Sequence, residues 1–153
     1  MVYKKFRKNK KGFSLIEIII VLAIFVLISS VGLFFSFDHL RSQNFVSETR
    51  LLVRLLENVR QKSLMNENQN PHGLFLWENS FVLFEGKKFN LDSETNLFFD
   101  RNLAIDIETN FSESQIIFKN ISGGLDTSGN FLLSDGVRNR EISVNQEGSI
   151  YFK

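Results

Sequence analysis

The stretch KKGFSLIEIIIVLAIFVLISSVGLFF, residues 10–35, sets a basic segment directly against a long apolar one. Glu17 is the one ionisable residue between Phe13 and Phe37. A helix needs about 20 mainly apolar residues to cross a bilayer. A helix in a soluble core usually has a polar face, whereas residues 18–28 contain no polar side chain. The stretch therefore predicts a membrane-spanning helix over residues 13–37.

The charges on either side of this helix predict its orientation. The basic leader, residues 1–12, contains Lys4, Lys5, Arg7, Lys8, Lys10 and Lys11 and no acid. The chain has 18 Lys+Arg and 17 Asp+Glu, so the residues after Gly12 hold 12 basic against 17 acidic side chains, a net charge of −5. Basic flanks stay on the cytoplasmic side of a membrane. We expect a single-pass membrane protein with its N-terminus in the cytoplasm and its C-terminal part outside.

The position of Glu17 requires a physical reason, because a carboxylate inside a membrane helix is costly. A cut after Gly12 would give Phe13 a new α-amino group, four residues before Glu17 and therefore on the same face of a helix. The amine and the acid could then pair within one chain or between neighbouring copies. Such pairing would drive helices together in lipid, where hydrophobicity alone does not.

The residues KGFSLIE, 11–17, resemble the cleavage and N-methylation motif of type IV pilins and pseudopilins. The resemblance implies that prepilin peptidase, which is also the methyltransferase, cleaves after Gly12 and that Phe13 is N-methylated. It also implies that Glu17 pairs with the N-terminal amine of an adjacent subunit in a filament.

After the apolar stretch, residues 38–70 predict an amphipathic continuation of the helix that ends near residues 66–70. Apolar residues recur at a spacing of three to four, at Phe45, Leu52, Leu55, Leu56 and Val59, with Glu48 and other charges mainly between them. The arginines at 41, 50, 54 and 60 have two readings, a phosphate-binding stripe or a solvated helix face, and we favour the solvated face.

Residues 71–153 predict a small β head. Short apolar runs separated by turn residues give strands over residues 74–77, 81–84, 103–108, 115–119, 131–133, 141–144 and 149–152. We expect an α+β, pilin-like fold in which a long N-terminal helix packs on an antiparallel head of either two sheets or one strongly twisted sheet. Trp77 and the phenylalanines are expected in the core. Residues 57–77, 81–86 and 141–152 resemble the H-type minor pseudopilins of type II secretion.

No pattern in the sequence predicts an enzyme. The chain has no cysteine, and its two histidines, His39 and His72, stand far apart in sequence. Asp126, Asn130 and Asp135 could line a calcium loop, but clusters of this kind are usually turns. We expect no catalytic residue, cofactor or metal.

The resemblance therefore implies a minor structural subunit of a type IV pilus or a type II secretion pseudopilus, held in the bacterial inner membrane before assembly. Its implied partners are prepilin peptidase and other pilin subunits. Two alternatives stay open. One is a DNA-binding minor pilin for DNA uptake, although the acidic head disfavours nucleic acid. The other is a single-span anchor whose β domain binds a partner outside the membrane.

Overall fold

In the computed structural model, residues 12–152 are described, except for the side chains of residues 31–37. One long helix, α1, spans Leu15–Leu64, and the chain forms two compact units that divide within it, Met1–Leu40 and Arg41–Lys153. Eight strands follow: β1 His72–Leu76, β2 Ser80–Glu85, β3 Leu97–Asp100, β4 Asp106–Thr109, β5 Gln115–Phe118, β6 Gly129–Ser134, β7 Asn139–Val144 and β8 Ile150–Phe152. Of the predicted leader only Gly12 is described, and its basic residues lie outside the described part of the chain.

The first unit consists, from Leu15 onward, of the first half of α1. Its large apolar side chains between Phe13 and Ile28 are all 51% to 81% exposed. Among the residues that the structure describes, no helical segment is both long enough and apolar enough to cross a membrane.

The second unit packs the rest of α1 against the two sheets of the head. The amphipathic pattern predicted for this half of α1 is confirmed, because its five apolar residues form one buried stripe. They are Phe45, Leu52, Leu55, Leu56 and Val59, all in the core. Glu48 was predicted among the solvated charges, and this is wrong because its side chain is buried on the same side of the helix.

The helix ends at Leu64, slightly before the predicted range. Asn66 adopts a left-handed conformation, φ 54°, which ends the helical path. The N–H of Ile121 then donates to the carbonyl oxygen of Ser63, at 2.8 Å, and so satisfies a carbonyl in the last turn. A short 3-10 turn, Glu67–Gln69, leads into β1.

The head contains two four-stranded antiparallel sheets and not one strongly twisted sheet, the other arrangement that the sequence allowed. The strand order is β3-β2-β1-β5 in sheet A and β4-β6-β7-β8 in sheet B. The first two predicted strands form a hairpin, in which β1 pairs with β2 in the register Leu74↔Leu83. The last two form another, with Val144 of β7 opposite Ile150 of β8.

Two strand predictions need correction. The run from Leu103 to Glu108 begins as a turn, and β4 starts only at Asp106. Asn102 sets this turn, since its side-chain oxygen accepts the N–H of Ala104 at 3.0 Å and its carbonyl accepts the N–H of Ile105 at 3.0 Å. Strand β3 was not predicted, because its apolar run of three residues is too short to show a period.

Sheet A is apolar on both faces. Leu74 and Leu83 face the core, whereas Phe75, Trp77 and Phe84 lie outside it, on the other face. The β2–β3 loop brings Phe89 onto this outer face, where its ring stacks on Phe75 with centroids 4.2 Å apart. Trp77 therefore belongs to a second aromatic cluster and not, as predicted, to the main core.

Candidate functional site

The N-terminus of α1 carries the predicted processing site. Gly12 has no neighbour within 4 Å of its Cβ position, and Phe13 is 81% exposed. The carbonyl oxygen of Ser14 accepts the N–H groups of Glu17 and Ile18, at 3.0 and 3.3 Å, which closes the first turn. The peptide bond after Gly12 therefore precedes the helix, which begins at Leu15.

Glu17 lies in the first turn of α1. A negative side chain is favourable there, because the N–H groups of a first turn have no helical partner and the helix dipole is positive at that end. Phe13 and Glu17 line one shallow groove of about 260 Å³, with Ile18, Val21 and Leu22 as its apolar wall. The structure thus places the two residues side by side, as their spacing predicts, with the carboxylate at the edge of an apolar surface.

The three residues that could have lined a calcium loop form ion pairs or hydrogen bonds with nearby side chains. Asp126 pairs with Lys119 at 2.6 Å, and the amide of Asn130 donates to Glu141 at 2.9 Å. Burial alone would raise the pKa of Asp135, but the N–H groups of Arg138 and Val137 and the Arg138 guanidinium hold that pKa below its usual range. Within residues 12–152, leaving out the undescribed side chains, no three acidic or histidine side chains form a metal cluster.

The four arginines that were weighed as a phosphate-binding stripe differ in exposure. Arg41, Arg50 and Arg54 are exposed on α1, whereas Arg60 is half-buried and donates to the carbonyl oxygen of Glu147 at 3.4 Å. The four arginines therefore do not form one uniform cationic face.

Sequence reasoning missed one buried charged group. Glu48 is 5% exposed, and its Oε1 has no hydrogen-bond partner among the described residues. Burial raises its pKa, while the backbone of Asn102 and the charge of Arg101 act in the opposite direction. Its spacing could have revealed the burial, because Glu48 stands three residues after Phe45 and four before Leu52, on the buried side of α1. Its partners could not be predicted, because residues 101 and 102 reach the helix only through the fold.

Comparison with known proteins supports the reading of the N-terminus. The family of the prokaryotic N-terminal methylation motif matches residues 7–33, which include Gly12, Phe13 and Glu17. No match is found among curated protein sequences.

Among solved structures, the chain is similar to the type IV minor pilin FimU of Pseudomonas aeruginosa strain PAO1, a crystal structure. The TM-score is 0.57 at 15% sequence identity, and the match covers 72% of this chain and 89% of that one. The predicted α+β fold, a long N-terminal helix followed by an antiparallel β head, is thereby confirmed as a pilin fold.

Proposed function

We propose that this chain, which carries the N-terminal methylation motif on a pilin fold, is a structural subunit of a type IV pilus or a type II secretion pseudopilus. The observation that supports this most directly is the exposed Gly12–Phe13 segment directly before a helix whose first turn contains Glu17. The motif and the fold both point to a structural and not an enzymatic protein.

The processing steps belong to the same proposal. Prepilin peptidase cleaves after Gly12 and methylates the new amine of Phe13. The precursor is held in the inner membrane by residues 13–37, with the six basic residues of the leader on the cytoplasmic side. After cleavage the leader is lost, and the Phe13 amine and the Glu17 carboxylate lie next to each other on one apolar face.

Assembly uses this pair between subunits. An apolar helix gains little free energy by leaving lipid for other helices. A charged pair that forms only between neighbouring subunits therefore drives assembly, and it also fixes the axial position of one helix against the next. Glu17 is the one described acid in the apolar half of α1 and therefore carries this role. We place the chain among the minor subunits, with the H-type pseudopilins as the subtype that its strand segments resemble.

Mass spectrometry of the mature protein from cells that contain the peptidase tests the processing. We expect an N-terminus at methylated Phe13, and a Gly12→Val variant should keep its leader. An intact Met1 in the parent protein would contradict the proposal.

Filament incorporation separates the subunit from a simple membrane anchor. Glu17→Ala should be processed normally but should be absent from sheared filaments, because the charged pair with the neighbour is lost. Glu57→Ala, which removes an exposed acid farther along α1, serves as the matched control and should be incorporated. Normal incorporation of Glu17→Ala would favour the anchor.

A further inference from the structure

A small cavity that is partly open to solvent lies in the second unit, between the end of α1 and sheet A. Its volume is about 190 Å³, against about 30 Å³ for a water molecule in the liquid, so it holds several waters or one small organic group. Val59, Leu83 and Leu97 form apolar parts of its wall, and His72 and Glu85 form polar parts. The pilus function proposed above makes no use of this cavity.

Within the described part of the chain, one carboxylate of the cavity wall, Glu85, forms no ion pair. Lys62 pairs with Glu67 at 3.1 Å. Glu85 instead accepts from two neutral amides, Asn70 on Oε1 at 2.8 Å and Asn68 on Oε2 at 2.9 Å. These amides hold the pKa of Glu85 below its usual value. The cavity therefore presents an ionised acid that is fixed in position.

His72 supplies a second, independent indication of a ligand. It stands directly opposite Glu85 in the β1–β2 pairing, so both side chains lie on the same face of sheet A. The residue is 4% exposed, and its main-chain N–H donates to Ser63 Oγ at 3.0 Å. Its Nδ1 has no hydrogen-bond partner among the described residues. A buried polar atom without a partner is costly, and a donor brought in by a ligand would satisfy it.

The segment that carries the two amides is strained. Asn66, Asn68 and Gln69 all have positive φ, between 54° and 59°, a conformation that residues other than glycine seldom adopt. Such backbone persists where the surrounding structure imposes it, often beside a binding site. Here it brings the amides of Asn68 and Asn70 onto Glu85.

We propose that this cavity binds a primary alkylammonium group, the chemistry of a lysine side chain or of a free aliphatic amine. An ammonium has three N–H donors and no acceptor, which matches a carboxylate and an imidazole nitrogen that accepts when the proton is on Nε2. The two carboxylates, Glu67 and Glu85, outnumber the single lysine, so the site attracts a cation. The apolar wall suits the methylene stem, which lysines bury while their head stays polar.

The two histidines allow a direct test in the full-length chain. The protein in detergent micelles, labelled with ¹³C at histidine Cε1, should give two side-chain resonances, one from His39 and one from His72. His39→Gln assigns them. Titration with n-butylamine at pH 8, where the amine is protonated, should move the His72 resonance to saturation and leave that of His39 in place. n-Butanol, which has the same stem without the charge, should have no comparable effect.

Matched variants locate the interaction. Glu85→Gln keeps the shape of the side chain and removes its charge, and should weaken butylammonium binding by about tenfold or more, as expected for the loss of a charged hydrogen bond. Glu108→Gln removes an exposed acid on β4 and should bind like the parent protein. Equal responses to butanol and butylammonium, no saturable shift, or unchanged affinity in Glu85→Gln would each overturn the proposal.

A second ligand distinguishes the two possible sources of the ammonium group, a lysine side chain and a free amine. If Nα-acetyl-lysine-N-methylamide binds at least as tightly as butylammonium, the ligand is a lysine of another protein chain. If the peptide-like compound does not bind while butylammonium does, the site takes a free amine.

Discussion

Glu48 shows how the fold changes the chemistry of a single residue. The carboxylate is buried beside Arg101 and Asn102, and its pKa is raised mainly by loss of water, despite the Asn102 backbone and the Arg101 charge. The folded protein therefore binds the Glu48 proton more tightly than the unfolded chain does. The resulting stabilisation is complete below the ordinary value of 4.5 and is lost as the pH rises through the folded-state pKa.

We predict that Glu48→Gln removes this pH dependence. The free energy of unfolding of the parent protein should fall relative to that of the variant as the pH is raised from about 4 to neutral, since only the parent must keep a desolvated charge. Urea unfolding followed by circular dichroism at several pH values measures the difference. Glu57→Gln, on the exposed side of α1, is the matched control. Equal pH slopes for the two variants would contradict the explanation.

At the scale of elements, the second half of α1 supplies one wall of the core. We predict that Leu56→Ala lowers the free energy of unfolding by about 2–5 kcal/mol, the usual range for a fully buried leucine. Leu56 is 0% exposed and two sheets pack around it, so the cavity cannot close without moving them. Thermal unfolding measures the loss. The control, Arg54→Ala, alters an exposed position two residues earlier and should change stability by less than about 0.5 kcal/mol.

The elements differ in how well the sequence predicts them. The stripe on α1 was predictable because five apolar residues repeat at helical spacing, and β1, β2, β7 and β8 were predictable because turn residues bound their apolar runs. Strand β3 was not predictable, because its short apolar run becomes a strand by pairing with β2. The turn at Asn102 was not predicted either, because the alternating pattern of residues 103–108 hides the local hydrogen bonds that form it.

The N-terminal site and the cavity also differ in how well the sequence predicts them. Gly12, Phe13 and Glu17 are close in sequence, so their spacing alone places them on one helix face. The cavity at His72 and Glu85 depends on cross-strand register and on the left-handed backbone at Asn66 and Asn68, neither of which a periodicity shows.

For the whole molecule, the division after Leu40 has a consequence for truncation. We predict that a fragment starting at Arg41 keeps a cooperative thermal transition, because it retains every residue of the buried core. A fragment starting at Gln61 lacks the stripe of α1 and should lose that transition, since the apolar inner faces of the two sheets would be exposed. Circular dichroism melting curves of both fragments test this, and a cooperative transition in the shorter fragment would show that the sheets are stable alone.

The two apolar faces of sheet A also affect how its strands align. In most strands a slip of one residue turns apolar side chains towards water, and this penalty fixes the pairing. Between β1 and β2 the penalty is small, because residues 74–76 and 81–84 are apolar on either face. Gly73 provides the missing constraint. It faces Phe84, and a Cβ there would overlap the Phe84 ring and lie 2.8 Å from the carbonyl oxygen of Ile116. The alignment of these two strands is thus selected by the size of one residue and not by hydrophobicity.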